Sequence, residues 1–167
     1  MLKLVEYIWL DGNKTPQIRS KSRMVFLPDN PTIHNFPVWN FDGSSTNQAV
    51  TENSDCLLSP VSFVKDPLPD TVGDFLVLCE VKDGKTGKDH ESNTRSILRK
   101  VLDNGGHDRH FWVGFEQEYT IFDGNIPLGW PEHGFPAPQG PYYCGVGSEQ
   151  IFGRDFVLEH AQACIDA

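Results

Sequence analysis

From Trp112 to Gly147 the chain reads W-V-G-F-E-Q-E-Y-T-I-F, then D-G-N-I-P-L-G-W-P-E-H-G-F-P-A-P-Q-G-P-Y-Y-C-G-V-G. A segment dense in strand formers feeding a stiff glycine and proline loop restricts the fold more than any other stretch. In a strand, residues two apart share a face about 7 Å from each other, so Glu116 and Glu118 would present their carboxylates side by side. Val113, Phe115, Tyr119 and Ile121 would then take the buried face. Two adjacent carboxylates ask for a cation, and hard oxygen ligands suit magnesium or manganese. An isolated E-x-E is more often the solvated side of an antiparallel sheet. The loop shifts that balance. Between Gly129 and Gly147 it interleaves glycines with Pro131, Pro136, Pro138 and Pro141 and with Trp130, Phe135, Tyr142 and Tyr143. Flexible linkers lack aromatics, and long ordered loops are usually functional.

The 167 residues suffice for one domain, or for a small domain and part of another. Fourteen Lys and Arg against 23 Asp and Glu give a formal net charge of -9, which argues against a nucleic-acid partner. The apolar start, Leu2 to Leu10, is broken by Lys3 and Glu6 and is too short for a membrane span or signal segment. The cytoplasm is therefore the default location. Cys56, Cys79, Cys144 and Cys164 show no C-x-x-C spacing and are read as reduced thiols.

In chain order, Leu2 to Leu10, an Asp11-Gly12 turn and Gln17 to Leu27 predict an opening β-hairpin. In F-P-V-W-N-F-D-G-S-S-T, Val38, Asn40 and Asp42 share one face and Trp39 and Phe41 the other. The cluster of Asp42, Ser44, Ser45 and Thr46 can be a plain Asx or Ser turn. Residues 51–70 read as irregular, because Pro60, Pro67 and Pro69 oppose helix. Phe75 to Val81 is a continuous apolar run and predicts a buried strand. The following D-G-K-T-G-K lacks the first glycine of a phosphate-binding loop, and Gly145-Val-Gly147 lacks the last glycine of a dinucleotide fingerprint. Ile97, Leu98, Val101 and Leu102 predict an amphipathic helix over 93–102, capped by Ser92 and followed by Gly105. A second helix is expected from near Ser148, with Phe152, Phe156, Val157, His160 and Cys164 along one side. No stop signal follows it, and the chain reads as truncated. A boundary falls near residues 83–92.

Four motifs in order, W-N-F-D-G-S-S-T from Trp39, L-V-L-C-E-V from Leu76, G-F-E-Q-E-Y-T from Gly114 and G-W-P-E-H-G-F-P-A-P-Q-G-P-Y-Y-C-G-V-G from Gly129, closely resemble the glutamine synthetase family in its eukaryotic-type (type II) form. The likeness extends through F-G-R-D-F-V-L-E-H-A from Phe152 but corresponds to about the first half of such an enzyme.

This resemblance implies an α+β chain: an amino-terminal β-grasp domain over residues 1–85, then the truncated start of the catalytic α/β domain over 86–167. It implies ATP-dependent conversion of L-glutamate and ammonium to glutamine through a γ-glutamyl phosphate, with Mg2+ or Mn2+ beside ATP. Glu118 matches a ligand of the metal near glutamate, and Glu116 a ligand of the metal that bridges the ATP phosphates. Asp42 matches the acid that binds and deprotonates ammonium, with Ser45 and Tyr143 as polar partners, and Trp112 lies where the family approaches the nucleotide. The family works as stacked homo-oligomeric rings. Since the remaining metal ligands and arginines fall beyond residue 167, the chain by itself is expected to bind metal weakly and not to catalyse. The alternative is a non-catalytic interaction or regulatory fragment that co-assembles with full-length subunits.

Overall fold

Leu2–Leu10 (β1) and Ile18–Phe26 (β2) form the expected antiparallel hairpin, with Leu2 opposite Phe26 and Leu10 opposite Ile18. Its connection is longer than a two-residue Asp-Gly turn and is organised by a side chain. The Asp11 carboxylate, in a residue only 1% exposed, accepts hydrogen bonds from the backbone N–H groups of Asn13 at 3.1 Å and Gln17 at 3.0 Å and from Arg19 Nε at 2.9 Å. The computed structural model describes residues 1–68, 73–138 and 140–167. Pro69, Asp70 and Gln139, which entered the loop readings above, lie outside the described residues.

Trp39–Asp42 (β3), Asp55–Lys65 (β4) and Phe75–Asp83 (β5) complete a five-stranded mixed sheet in the order β2-β1-β5-β4-β3. β1 and β5 run parallel at its centre, and every other pairing is antiparallel. β4 corrects the expectation of irregular chain over residues 51–70. Pro60 is accommodated because the register with β5 shifts between Pro60 and Ser62, and a bulge is a position where a strand tolerates a residue without an N–H.

The sheet curls until its two edges meet. Lys21 on β2 lies 3.7 Å from the ring centre of Trp39 on β3 and donates to the Asn40 carbonyl at 3.0 Å, while the Trp9 and Phe41 rings approach to 4.7 Å. The concave face encloses Val5, Tyr7, Trp9, Phe41, Leu58, Val77 and Val81, all buried. Burial pushes the Tyr7 phenol up to about 12, and its hydroxyl donates to the Pro37 carbonyl at 2.8 Å.

Thr94–Val101 (α1) is capped by Asn93, whose side chain accepts from the Ser96 N–H at 3.2 Å, rather than by the expected Ser92. Its apolar stripe does not bury itself here: Ile97, Leu98 and Val101 are 61%, 55% and 58% exposed. The helix instead turns Ser96 inward and sends Arg95 and Arg99 to Glu80, a buried carboxylate on β5. Packing divides the chain into compact units of residues 1–111 and 112–166, whereas the expected domain boundary falls at 85/86. The ion pairs of α1 with β5 put that helix in the first unit.

In the second unit, residues 112–121 form no strand, contrary to expectation. Val113, Phe115 and Tyr119, assigned above to a buried face, are 70%, 91% and 50% exposed. A strand needs a ladder partner, and among the described residues the backbone bond to this segment from elsewhere is that of the Leu128 N–H to the Ile121 carbonyl at 2.8 Å, at its very end. Phe122–Asp123 (β6) and Ile126–Pro127 (β7) make a minimal hairpin. Beyond it, Gly129 has φ +86° and lies under the Phe152 ring, which a Cβ would meet at 2.3 Å. The second helix, Arg154–Asp166 (α2), starts later than expected, just after Gly153 at φ +70°. Phe152 thus leaves the helix and joins Trp130, Pro136 and Tyr142 around a cavity of about 380 Å³. No helix among the described residues is long and apolar enough to cross a membrane.

Candidate functional site

Asp42 ends β3 and caps the short 3₁₀ turn Gly43–Thr46. Its carboxylate accepts from the Ser44 hydroxyl at 2.6 Å and the Ser44 N–H at 2.9 Å. These bonds hold the carboxyl below the usual aspartate range, the hydroxyl contributing most. The turn is thus an Asx turn closed by Ser44, and Ser45, expected as a polar partner of the site, is exposed next to it.

What fixes the Asp42 loop comes from elsewhere in the chain. Gly12 N–H donates to the Thr46 carbonyl at 2.9 Å, and Asn47 Nδ2 returns a bond to the Gly12 carbonyl at 3.2 Å. Only glycine fits there, since a Cβ on residue 12 would lie 2.2 Å from the Asn47 carbonyl oxygen. Gln48, 5% exposed, accepts from Thr46 Oγ1 at 2.8 Å and donates to the Leu10 carbonyl at 3.1 Å and to Ser92 Oγ at 2.8 Å. The loop is therefore clamped between the β1–β2 connection and the turn before α1.

The remaining expected site residues lie in the second unit. Glu116 and Glu118 are exposed and sit on the 112–121 segment, which forms no strand, Trp112 is 98% exposed, and Tyr143 is 75% exposed after the turn Gly140–Tyr142. Among the described residues, no group of three or more His, Cys, Asp and Glu side chains is placed to hold a metal ion. Two solvated carboxylates form no closed cage, but one or two carboxylates are the number that a largely hydrated magnesium ion takes from protein.

The other suggestive sequences resolve as structure. In D-G-K-T-G-K, Asp83 accepts from the Thr86 N–H at 2.6 Å and the Thr86 hydroxyl at 2.7 Å, a turn that folds on its own carboxylate rather than on phosphate. All four cysteines are free thiols, and burial pushes Cys79 up to about 12, far from a reactive thiolate.

Residues 1–84, the sheet that carries Asp42, match the family model described as the glutamine synthetase β-grasp domain. The chain belongs to the glutamine synthetase family. Its β-grasp sheet is the five-stranded sheet of the first unit. It is 46% identical to a chloroplastic glutamine synthetase of Chlamydomonas reinhardtii, across 97% of this chain and 45% of that protein. It is 47% identical to a glutamine synthetase of Streptomyces viridochromogenes, across 97% of this chain and 46% of the relative. A Xenopus laevis glutamine synthetase is 46% identical across 98% of this chain and 41% of its own length. The chain thus spans a little under half the length of these curated relatives.

Within this glutamine synthetase β-grasp domain, reading the sequence placed Ser44 in a possible Asx turn but missed the parts played by Gly12 and Gln48. Ser44 was legible, since a serine two residues after an aspartate is the usual partner in an Asx turn. Gln48 was not, because its partners Leu10 and Ser92 lie 38 and 44 residues away.

Proposed function

We propose that this chain contributes the amino-terminal share of a glutamate–ammonia ligase that makes glutamine from L-glutamate and ammonium with ATP. The observation that carries the reading is the family match over residues 1–84 together with 46–47% identity to glutamine synthetases along 97% of the chain. In this reading residues 1–85 are the β-grasp domain and 86–167 the opening of the catalytic domain, a division by role rather than by packing.

Asp42 is the residue whose geometry supports a chemical part. Its carboxylate is ionised at neutral pH and rigidly clamped, which suits holding an ammonium ion. Ser44 lowers its basicity, so Asp42 as it stands attracts the cation more readily than it removes a proton. Ser45 and Tyr143 remain proposed polar partners. Glu116 and Glu118 are proposed as carboxylate contributors to a divalent-ion site whose remaining oxygen ligands would include water and phosphate, and Trp112 as a nucleotide contact. Assembly into a homo-oligomeric ring and a cytoplasmic location complete the proposal.

A second reading, co-assembly with full-length subunits as a non-catalytic partner, is favoured by the exposure of Trp112, Phe115 and Phe135 at 98%, 91% and 89%. Apolar side chains this bare would gain by burial against a partner.

A chimera separates these readings. Residues 1–167 replace the matching segment of the Streptomyces viridochromogenes relative, and glutamine formation from glutamate, ammonium and ATP is measured. Activity that falls at least about a hundredfold in Glu118→Ala supports the ligase reading. An assembled but inactive chimera overturns it and favours the interaction partner.

A further inference from the structure

Glu80 on β5 is 2% exposed, and both of its carboxylate oxygens are shut off from solvent. Two arginines of α1 stand over them, with Arg99 Nη1 2.9 Å from one oxygen and Arg95 Nε 3.7 Å from the other. Glu80 is therefore a footing for the guanidiniums and not a contact for any ligand. The same arginines line a cavity of about 550 Å³ together with His34 and His107, and all of these residues belong to the first unit. Its volume falls in the range of small-molecule sites.

The charge that this cavity offers to a visitor is positive. The ion-pair network around Glu80 sets three cations, Arg95, Arg99 and Lys100, against two carboxylates, Glu80 and Asp89. Arg99 holds Glu80 at 2.9 Å and Lys100 holds Asp89 at 2.9 Å, so the excess charge falls on Arg95. Among the described contacts Arg95 engages Glu80 through Nε, and its side chain is 48% exposed. Its remaining donors form a fork that matches a carboxylate, and the ring nitrogens of His34 and His107 add further donor capacity. Phe36, Val38 and Leu98 supply an apolar wall. In a chain of formal net charge -9, a cavity with this lining runs against the average.

With Glu80 sealed beneath the guanidiniums, a cation finds nothing here to pair with. A bare inorganic anion would leave the apolar wall unfilled, and a phosphate dianion would exceed the one spare positive charge of the ion-pair network. A single carboxylate matches that charge and the planar fork. We propose that this cavity binds a small organic monocarboxylate with an apolar body, its carboxylate on the Arg95 guanidinium and its body against Val38 and Leu98. The buried Glu80 serves the site by holding the guanidiniums in place before the ligand arrives, which lowers the ordering cost of binding. The site shares no residue with Asp42, Glu116 or Glu118, so it stands or falls apart from the ligase reading.

Four probes test this on the whole 167-residue chain, followed by amide chemical shifts in NMR titrations: phenylacetate, phenylacetamide, which keeps the shape but lacks the charge, acetate, which lacks the apolar body, and inorganic phosphate. Saturable shifts at the lining residues Val61, Arg95 and Leu98 are expected with phenylacetate, at an affinity about tenfold or more above each of the other three. Arg95→Met leaves Arg99 on Glu80 and should weaken phenylacetate by a similar factor while the spectrum stays folded. Should Arg95→Met not fold, Val38→Trp fills the cavity from an exposed rim position, 55% exposed in the native chain, and should abolish the shifts. Phenylacetamide that binds as well as phenylacetate would overturn the proposal in favour of a plain apolar pocket. Acetate or phosphate that binds as well would overturn it in favour of an adventitious ion only. Phenylacetate shifts that are absent, non-saturable or unchanged in the variants would overturn it outright.

Discussion

Gln48 Nε2 donates to Ser92 Oγ at 2.8 Å, and with this one bond the loop that carries Asp42 is tied to the turn from which α1 departs. The same nitrogen reaches the Leu10 carbonyl at 3.1 Å, and Ser92 Oγ also stands 2.9 Å from His90 Nδ1. Replacing Gln48 by leucine leaves the Leu10 carbonyl without this donor and Thr46 Oγ1 without this acceptor. The expected cost is about 1–3 kcal/mol in urea unfolding, with faster hydrogen exchange at the Gly43–Thr46 amides. Unchanged exchange there would show that the backbone bonds from Gly12 suffice to hold the loop.

Asp11 contributes to the response to acid alongside Asp42, Asp74, Asp83 and Asp89, whose carboxyls are also held below the ordinary range. The Gln17 N–H, with further help from Asn13 and Arg19, holds the Asp11 carboxyl below the ordinary aspartate range. A carboxylate lowered in the folded state contributes stability that is fully present above its unfolded pKa and disappears as pH falls through the folded one. Wild-type stability is therefore expected to fall with pH below the ordinary aspartate range. Asp11→Asn should be less stable at neutral pH and show a shallower acid slope, measured as urea midpoints from pH 7 down to the acid limit of folding.

The Arg99–Glu80 pair ties α1 to the sheet. Arg99→Met leaves the buried Glu80 carboxylate with Arg95 Nε at 3.7 Å, and because Arg99 is 41% exposed the loss is expected at about 1–3 kcal/mol, below that of a fully buried pair. Adding Glu80→Leu should recover part of it, since the uncompensated charge is then gone. Thermal unfolding of the two single variants and the double variant gives the coupling. Strict additivity would contradict the pairing.

Gly129 tests the order of the glycine and proline loop. Its φ of +86° and its closeness to Phe152, 2.3 Å from a built Cβ, leave no room for a side chain. Gly129→Ala should displace the Phe152 ring and speed proteolytic nicking between residues 129 and 153 severalfold, while Gly134→Ala, at a position with open space, should affect only the backbone preference. Equal nicking of both variants would mean that Phe152 does not anchor the loop.

The sequence by itself determined several local elements and the family. The strand formers of β1, the apolar run of β5 and the split of Trp39 and Phe41 from Asn40 and Asp42 depend on neighbouring residues, and each appears in the fold. The motifs from Trp39 to Gly147 identified the glutamine synthetase family, and the match over residues 1–84 agrees. Tertiary structure decided what depends on partners far along the chain. Pro60 enters a strand because β5 offers a bulged register, Lys21 meets Trp39 because the sheet curls, and Gln48 acquires its bonds because Leu10 and Ser92 converge on it. It also decided that Glu116 and Glu118 stay solvated: alternation makes a segment able to pair, but a strand exists only where another backbone is present to accept its hydrogen bonds.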